Sequence, residues 1–129
     1  MAHLATIQKL YSALSRGDLA AVRELFDPSI EWIQNDGFPG GGRHVGADAV
    51  LTGVFARLGE EWAEWQAVVH QWLDAGETVV ALGEYRGIYR ATGKRMCAAF
   101  AHVYDVRGGR IVRFRQFADT AKVCEATLA

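Results

Sequence analysis

At 129 residues, half of them hydrophobic, the chain is long enough to bury a core without staples and too apolar to stay disordered. Fourteen Lys and Arg stand against fifteen Asp and Glu, so the net charge of −1 leaves no basic footprint for nucleic acid. Two cysteines make no disulfide scaffold, the four histidines fall at no metal-ligand spacing, and no apolar run is long enough to span a bilayer.

The elements read in order as helices first and strands afterwards. Leu4, Ile7, Leu10, Tyr11 and Leu14 recur at helical spacing as far as Gly17. Asp18 then caps a second helix carrying Leu19, Val22, Leu25 and Phe26, which Asp27-Pro28 stops. Ile30 to Gln34 is a short strand with Ile30, Trp32 and Gln34 on one face. Residues 35–46, with the run Pro39-Gly40-Gly41-Gly42, form a loop that bends over whatever the strands enclose. A third helix is expected over 47–58, burying Val50, Leu51, Val54 and Phe55. Strands follow at 65–73, 78–89, 96–106 and 110–119, with turns at Ala75-Gly76-Glu77 and Thr92-Gly93-Lys94 and a tight hairpin at Arg107-Gly108-Gly109-Arg110. This is an α+β pattern spanning residues 1–129 as one domain, with no repeat or linker. The N-terminal segment is amphipathic and carries no secretory core, so a cytoplasmic protein is expected.

The last hairpin is the most informative stretch. Alternation puts Met96, Ala98, Phe100, His102 and Tyr104 on one face of its first arm, and Val112, Phe114, Gln116 and Ala118 on one face of its second. Each apolar face is interrupted by one polar side chain, His102 or Gln116, which points to a pocket lined by the sheet. His102 is the one side chain there that titrates near neutrality, so it is the acid–base candidate; a hydrogen-bonded core histidine is the equal alternative. Gln116 can orient a carbonyl, a hydroxyl or a water, but it cannot take a proton. Glu84 and Arg86 share parity with Val80, Leu82 and Ile88: turned inward they are a buried ion pair with Glu84 as a base, turned outward an ordinary surface pair. Asp36 is expected in a solvated turn. The glycine run lacks the lysine and hydroxyl ending of a phosphate loop.

The opening IQKLYSALSRGDLAAVRELFDPSIEW and the ending GRIVRFRQFAD resemble the nuclear-transport-factor-2-like superfamily over nearly the whole chain, and within it the SnoaL-like polyketide cyclases and ketosteroid isomerase-related proteins. The resemblance implies three N-terminal helices packed on a strongly curved, mainly antiparallel sheet, a cone with an apolar pocket, and a homodimer through the outer sheet face. Small apolar residues at Cys97, Ala99, Ala101 and Val103 on that face fit the same expectation. Ungapped comparison with the isomerases places Leu10 at their oxyanion tyrosine, Gln34 at their base and, after one extra turn residue, Phe100 at their second aspartate. None of these can perform the isomerase role. Against the similar epoxide hydrolases and cyclases, Gln116 stands at the last-strand aspartate and His102 at a pocket histidine. Asp119, the nearest carboxylate, has the wrong parity.

Two classes of function follow. One is a cofactor-free cyclase, isomerase or hydratase working on a small apolar carbonyl compound. Its catalytic candidates are His102, Gln116 and Glu84, with Trp32, Gln34, Phe55, Arg86, Phe100 and Phe114 contacting substrate, and no metal or cofactor is called for. The other is a non-catalytic module of the same fold that binds an apolar metabolite or dimerises.

Overall fold

The computed structural model describes residues 2–129. Helix α1 (Ala2–Ser15) ends in a Schellman turn: the Gly17 amide bonds the Leu14 carbonyl, the Asp18 amide bonds the Ala13 carbonyl, and Gly17 takes φ +67°. Asp18 then accepts the Ala21 amide and starts α2 (Leu19–Leu25). That helix stops one residue earlier than its apolar spacing implies, because Phe26 already belongs to strand β1 (Phe26–Gln34). Asp27 and Pro28 therefore lie inside β1, where the pairing register shifts, and a bulge is where a strand tolerates proline.

The expected loop over 35–46 contains a strand, β2 (Gly42–Val45), paired antiparallel with β1. The glycine run hides it, although Arg43 pairs with Glu31 across the two strands. The third helix is continuous from Ala47 to Glu61 but changes hydrogen-bond pitch, with a π-helical segment over Leu51–Ala56. Strands β3 (Trp62–Ala75), β4 (Thr78–Tyr89), β5 (Arg95–Arg107) and β6 (Arg110–Ala118) follow, β3 running beyond its expected limits at both ends. A helix that the sequence reading missed, Thr120–Thr127, closes the chain; Asp119, assigned above to the strand end, is its N-cap and accepts the Lys122 amide. Among the described residues four helices thus accompany the sheet, where three were expected.

The six strands lie in the order β2-β1-β6-β5-β4-β3. The sheet is mixed: β1 and β6 run parallel, and the other neighbours are antiparallel. It is curled but not closed, since β2 and β3 are edges. The β3–β4 hairpin carries two register shifts in β3, at Trp62/Glu64 and Val69/Gln71, and such bulges bend a strand. The facing strand has glycine where the β3 backbone comes close: a Cβ on Gly83 would stand 1.9 Å from the Val68 carbonyl oxygen, and one on Gly87 2.7 Å from that of Glu64.

Two apolar clusters fill the concave side. One joins α1, α2 and the third helix to β1 and β6 through Ile7, Leu10, Val22, Ile30, Trp32 and Phe114; the other joins Phe38, Trp62, Tyr85, Met96, Phe100 and Val123. Gln34, His102 and Gln116 are the buried polar side chains among the described residues.

Gly83→Ala should lower stability by about 3 kcal/mol or more, since backbone rather than a movable side chain blocks the methyl. Gly59→Ala, in open space within helix 57–61, should raise it by about 0.5–1 kcal/mol. Urea unfolding of both variants checks the pair.

Candidate functional site

Strand alternation holds through β5: Met96, Ala98, Phe100, His102, Tyr104 and Val106 are all buried. In β6 the face changes near the turn, where a bulge opposite Asp105 and Val106 puts Ile111 rather than Val112 in the core. Beyond the bulge Phe114 and Gln116 face inward as expected, and His102 pairs directly with Gln116. The parallel partner β1 sets Trp32 beside Phe114, their rings stacked at 3.8 Å.

Three tyrosines complete the site. The Tyr11 hydroxyl meets His102 Nδ1 at 2.5 Å, and the Tyr85 hydroxyl meets Nε2 at 2.5 Å. The Tyr104 hydroxyl donates to Tyr11 at 2.8 Å, and Gln116 Nε2 donates to Tyr85 at 2.8 Å. Gln116 Oε1 accepts the Asn35 amide at 3.0 Å, which fixes which end of its side chain is oxygen. Phe100 stacks on the imidazole at 3.8 Å and 11°. The result is a chain of polar groups from Tyr104 to Asn35 crossing the seam between the two apolar clusters.

Burial sets the protonation states. It lowers the His102 pKa to about 3, so the ring is neutral at pH 7 and does not titrate near neutrality as the sequence reading proposed. Burial raises the Tyr11, Tyr85 and Tyr104 hydroxyls, so all three are protonated phenols. Hydrogens can then be counted. The three links Tyr104–Tyr11, Tyr11–His102 and His102–Tyr85 need three hydrogens, and three hydroxyls plus one ring N–H supply four. With Tyr104 donating to Tyr11, the spare hydrogen belongs to Tyr11 or Tyr85. A second donor is Gln34. Its Oε1 accepts the Trp32 indole N–H at 3.1 Å, which leaves the amide NH2 with no protein partner among the described residues.

These groups surround an inner chamber of about 50 Å³, lined by Tyr11, Trp32, Gln34, Phe38, Phe55, Tyr85, His102, Phe114 and Gln116 among others, with no Asp, Glu, Lys or Arg. It adjoins an outer groove of about 1240 Å³ that shares Tyr11, Leu14, Phe55, Leu58, Trp65 and Ala67 with it. Trp32, Gln34, Phe55, Phe114, His102 and Gln116 are thus brought together as expected. Phe100 is a correction: it is absent from the chamber wall and packs behind His102.

For Glu84 and Arg86 the outward alternative holds, which removes them from the site, because β4 turns its other side inward. Val79, Ala81 and Tyr85 are buried, and Glu84 lies on the outer face. There its carboxylate accepts the Cys97 thiol at 3.0 Å, Arg86 Nε at 2.7 Å and His70 Nε2 at 2.9 Å, contacts that lower its pKa to about 2. Arg86 reaches only the outer groove. Asp36 is exposed, so no carboxylate enters the chamber. Tyr11, Tyr85, Tyr104 and Phe38 were missed. A phenol on an otherwise apolar stripe, at Tyr11 or Tyr104, is a usable signal, because a buried hydroxyl requires a partner. Among the described residues no three His, Cys, Asp or Glu side chains converge as a metal site, and no helix is long and apolar enough to cross a membrane.

A curled mixed sheet with a donor-lined chamber on its concave side defines the class of protein. A SnoaL-like domain model matches residues 7–114, and the chain belongs to the SnoaL-like family. A nuclear-transport-factor-2-like protein of Burkholderia thailandensis E264 is 40% identical over 98% of both chains, with a TM-score of 0.95. TerC, crystallised with polyporic acid, shares the fold at 19% identity, 98% coverage of both chains and TM-score 0.88. So does a provisionally designated SnoaL-like polyketide cyclase of Jannaschia sp. CCS1, at 18% identity, TM-score 0.85, and 97% and 90% coverage of this chain and that one. No protein of curated function matches the sequence.

The depressed His102 pKa carries a sign. The folded value lies below the ordinary 6.5, so the unfolded chain binds a proton that the folded one refuses. The associated stability is complete above pH 6.5 and is lost as pH falls toward about 3, at up to roughly 1.4 kcal/mol per pH unit. Urea midpoints between pH 7.5 and 5 should show this slope in the native protein and lose it in His102→Gln.

Proposed function

We propose that this chain is a cofactor-free SnoaL-like enzyme, a cyclase, isomerase or hydratase, acting in the cytoplasm on a small apolar carbonyl compound by acid–base chemistry in the chamber. The observation that carries the reading is the chamber's polarity: it offers hydrogens and no charge. A carbonyl oxygen accepts the spare hydroxyl hydrogen and the Gln34 amide, and both bonds strengthen as negative charge develops on that oxygen. His102 acts as a neutral link that aims the two phenols, and Gln116 holds Tyr85 while its other end is tied to Asn35. The chamber has room for about one or two waters, enough for a carbonyl group, and the body of the ligand lies along the outer groove. On this reading the curled sheet serves as the wall of a cone.

One observation favours the alternative, a non-catalytic binding module: no carboxylate lines the chamber to act as a base. Deuterium exchange separates the two. Enolisable ketones incubated in deuterated buffer should gain label beside the carbonyl faster with the protein than without it. Tyr85→Phe should cut that rate by roughly 10²-fold, as loss of an oxyanion donor does. Saturable binding with no exchange across the panel would favour the binding module.

The outer sheet face carries Cys97, Ala99, Ala101 and Val103 together with the exposed ring of Phe117, and Arg115 Nε there is buried without a partner. This supports a two-fold homodimer through that face. Light scattering at micromolar concentration should return twice the chain mass, and Ala101→Arg should return a monomer.

A further inference from the structure

The hydrogen count leaves one hydrogen over, and the His102 tautomer decides where it is. With the hydrogen on Nε2, Tyr11 donates to Nδ1, Nε2–H donates to Tyr85, and the Tyr85 hydrogen is free. With the hydrogen on Nδ1, Tyr85 donates to Nε2, Nδ1–H donates to Tyr11, and the Tyr11 hydrogen is free. Both arrangements contain the same atoms, the same number of hydrogen bonds and no ion. Each terminal phenol also has a fixed outside donor, Tyr104 for Tyr11 and Gln116 for Tyr85, so neither arrangement strands an oxygen. Phe100, stacked on the ring, keeps both nitrogens in line with the two hydroxyls. Tyr11 and Tyr85 both line the inner chamber.

We propose that Tyr11, His102 and Tyr85 form a charge-neutral proton relay that moves a proton from one position of a bound carbonyl compound to another by switching the His102 tautomer. The idea rests on the carbonyl reading of the same chamber. It also narrows the substrate class: an enolisable compound, such as a conjugated dicarbonyl or hydroxyquinone, whose acidic hydrogen and accepting oxygen lie at separate positions. In the forward step the ligand's acidic hydrogen passes to the Tyr11 oxygen, and the Tyr11 hydrogen passes to Nδ1. The Nε2 hydrogen passes to the Tyr85 oxygen, and the Tyr85 hydrogen passes to the ligand oxygen. The electron pair left by the acidic hydrogen becomes the enol double bond, and the carbonyl π pair becomes the new O–H bond. In the return step Tyr11 gives its hydrogen to a different ligand atom and takes the one on Nδ1. The enol hydrogen goes back to Tyr85, whose own hydrogen refills Nε2. Every relay group ends as it began, and the ligand has undergone a prototropic shift.

Nitrogen-15 NMR of histidine-labelled protein at pH 7 tests this without a known substrate, because a bare and a hydrogen-bearing ring nitrogen resonate far apart. In the native protein both His102 nitrogens should fall between those limits. Tyr11→Phe should move them to the pattern with hydrogen on Nε2, and Tyr85→Phe to the opposite pattern. Cyclohexanone, which accepts the spare hydrogen, should pin one arrangement and drive the two signals apart. A native ring fixed in one tautomer, or protonated at pH 7, overturns the relay, and this measurement holds even if neither variant folds. A fixed tautomer in protein whose chamber signals still respond to cyclohexanone sinks the relay alone. Opposite locking by the two variants with no response to cyclohexanone supports the switchable Tyr11–His102–Tyr85 chain but sinks the carbonyl reading, and with it the proton shift on a carbonyl ligand.

Discussion

The two hydrogen bonds at His102 are the constraint on which the rest of the structure depends. An imidazole buried in an apolar core is costly unless both nitrogens are satisfied, and here one partner comes from α1 and the other from β4. Tyr11 can reach Nδ1 only if α1 lies across the concave face, and Tyr85 can reach Nε2 only if β4 presents its Val79, Ala81 and Tyr85 side inward. The apolar clusters on either side supply the driving force for burial, but they would tolerate small slips of the helix along the sheet. The polar chain does not tolerate them, because a slip strands a buried hydroxyl. Burial by the two clusters and orientation by one histidine together place the site.

The same constraint explains what could be read from the sequence and what could not. The β5 face and the shared inward side of His102 and Gln116 were legible, because alternation is unbroken in β5 and in β6 from Phe114 onward. Their direct pairing was not, because it comes from the bulge opposite Asp105 and Val106, and the Gly108-Gly109 turn alone would set His102 opposite Arg115. β4 was ambiguous. Its outward parity mixes Val80, Leu82 and Ile88 with Glu84 and Arg86, and its inward parity is Val79, Ala81, Gly83, Tyr85 and Gly87. Alternation alone left the face open, so Glu84 and Arg86 stood as site candidates beside the surface-pair reading that the structure bears out. The inward glycines answer to crowding by the bulged β3 backbone, a long-range cause that leaves no mark in a window of neighbouring residues. Tyr11 and Tyr104 were visible as members of apolar stripes, but an apolar stripe does not reveal where a hydroxyl finds its partner. The last helix was overlooked because Asp119 and Thr120 directly continue a strand, and eight residues carry little periodicity.

The outer face teaches the converse lesson about charge. Glu84, Arg86 and His70 form a tight polar cluster with Cys97, and a strongly lowered carboxylate pKa often marks an active site. Here the lowering comes from hydrogen bonds on an open sheet face, and the same contact raises the Cys97 thiol, which weakens it as a nucleophile. The groups facing the chamber shift the other way. Desolvation pushes His102 and the three phenols toward their neutral forms, and it is neutral groups that can lie at the centre of an apolar core.

Gln116 ties these observations to the family resemblance. The resemblance read from the sequence implies an aspartate at position 116 in similar hydrolases and cyclases, and a glutamine in its place alters more than one titrating group. A carboxylate at this position would accept from Tyr85 instead of donating to it, so the Tyr85 hydrogen would be committed to position 116 and none would be left over along the chain to His102. The amide reverses that single bond. It delivers a hydrogen to the Tyr85 oxygen, and this is what makes four hydrogens available for three links. The Asn35 amide then fixes the glutamine's orientation, since a flipped side chain would set an NH2 against an N–H. On that implied alignment, the residue that stands in place of a carboxylate is the same one that leaves a spare neutral donor in the chamber. The loss of a charge and the gain of a directed hydrogen are one structural event.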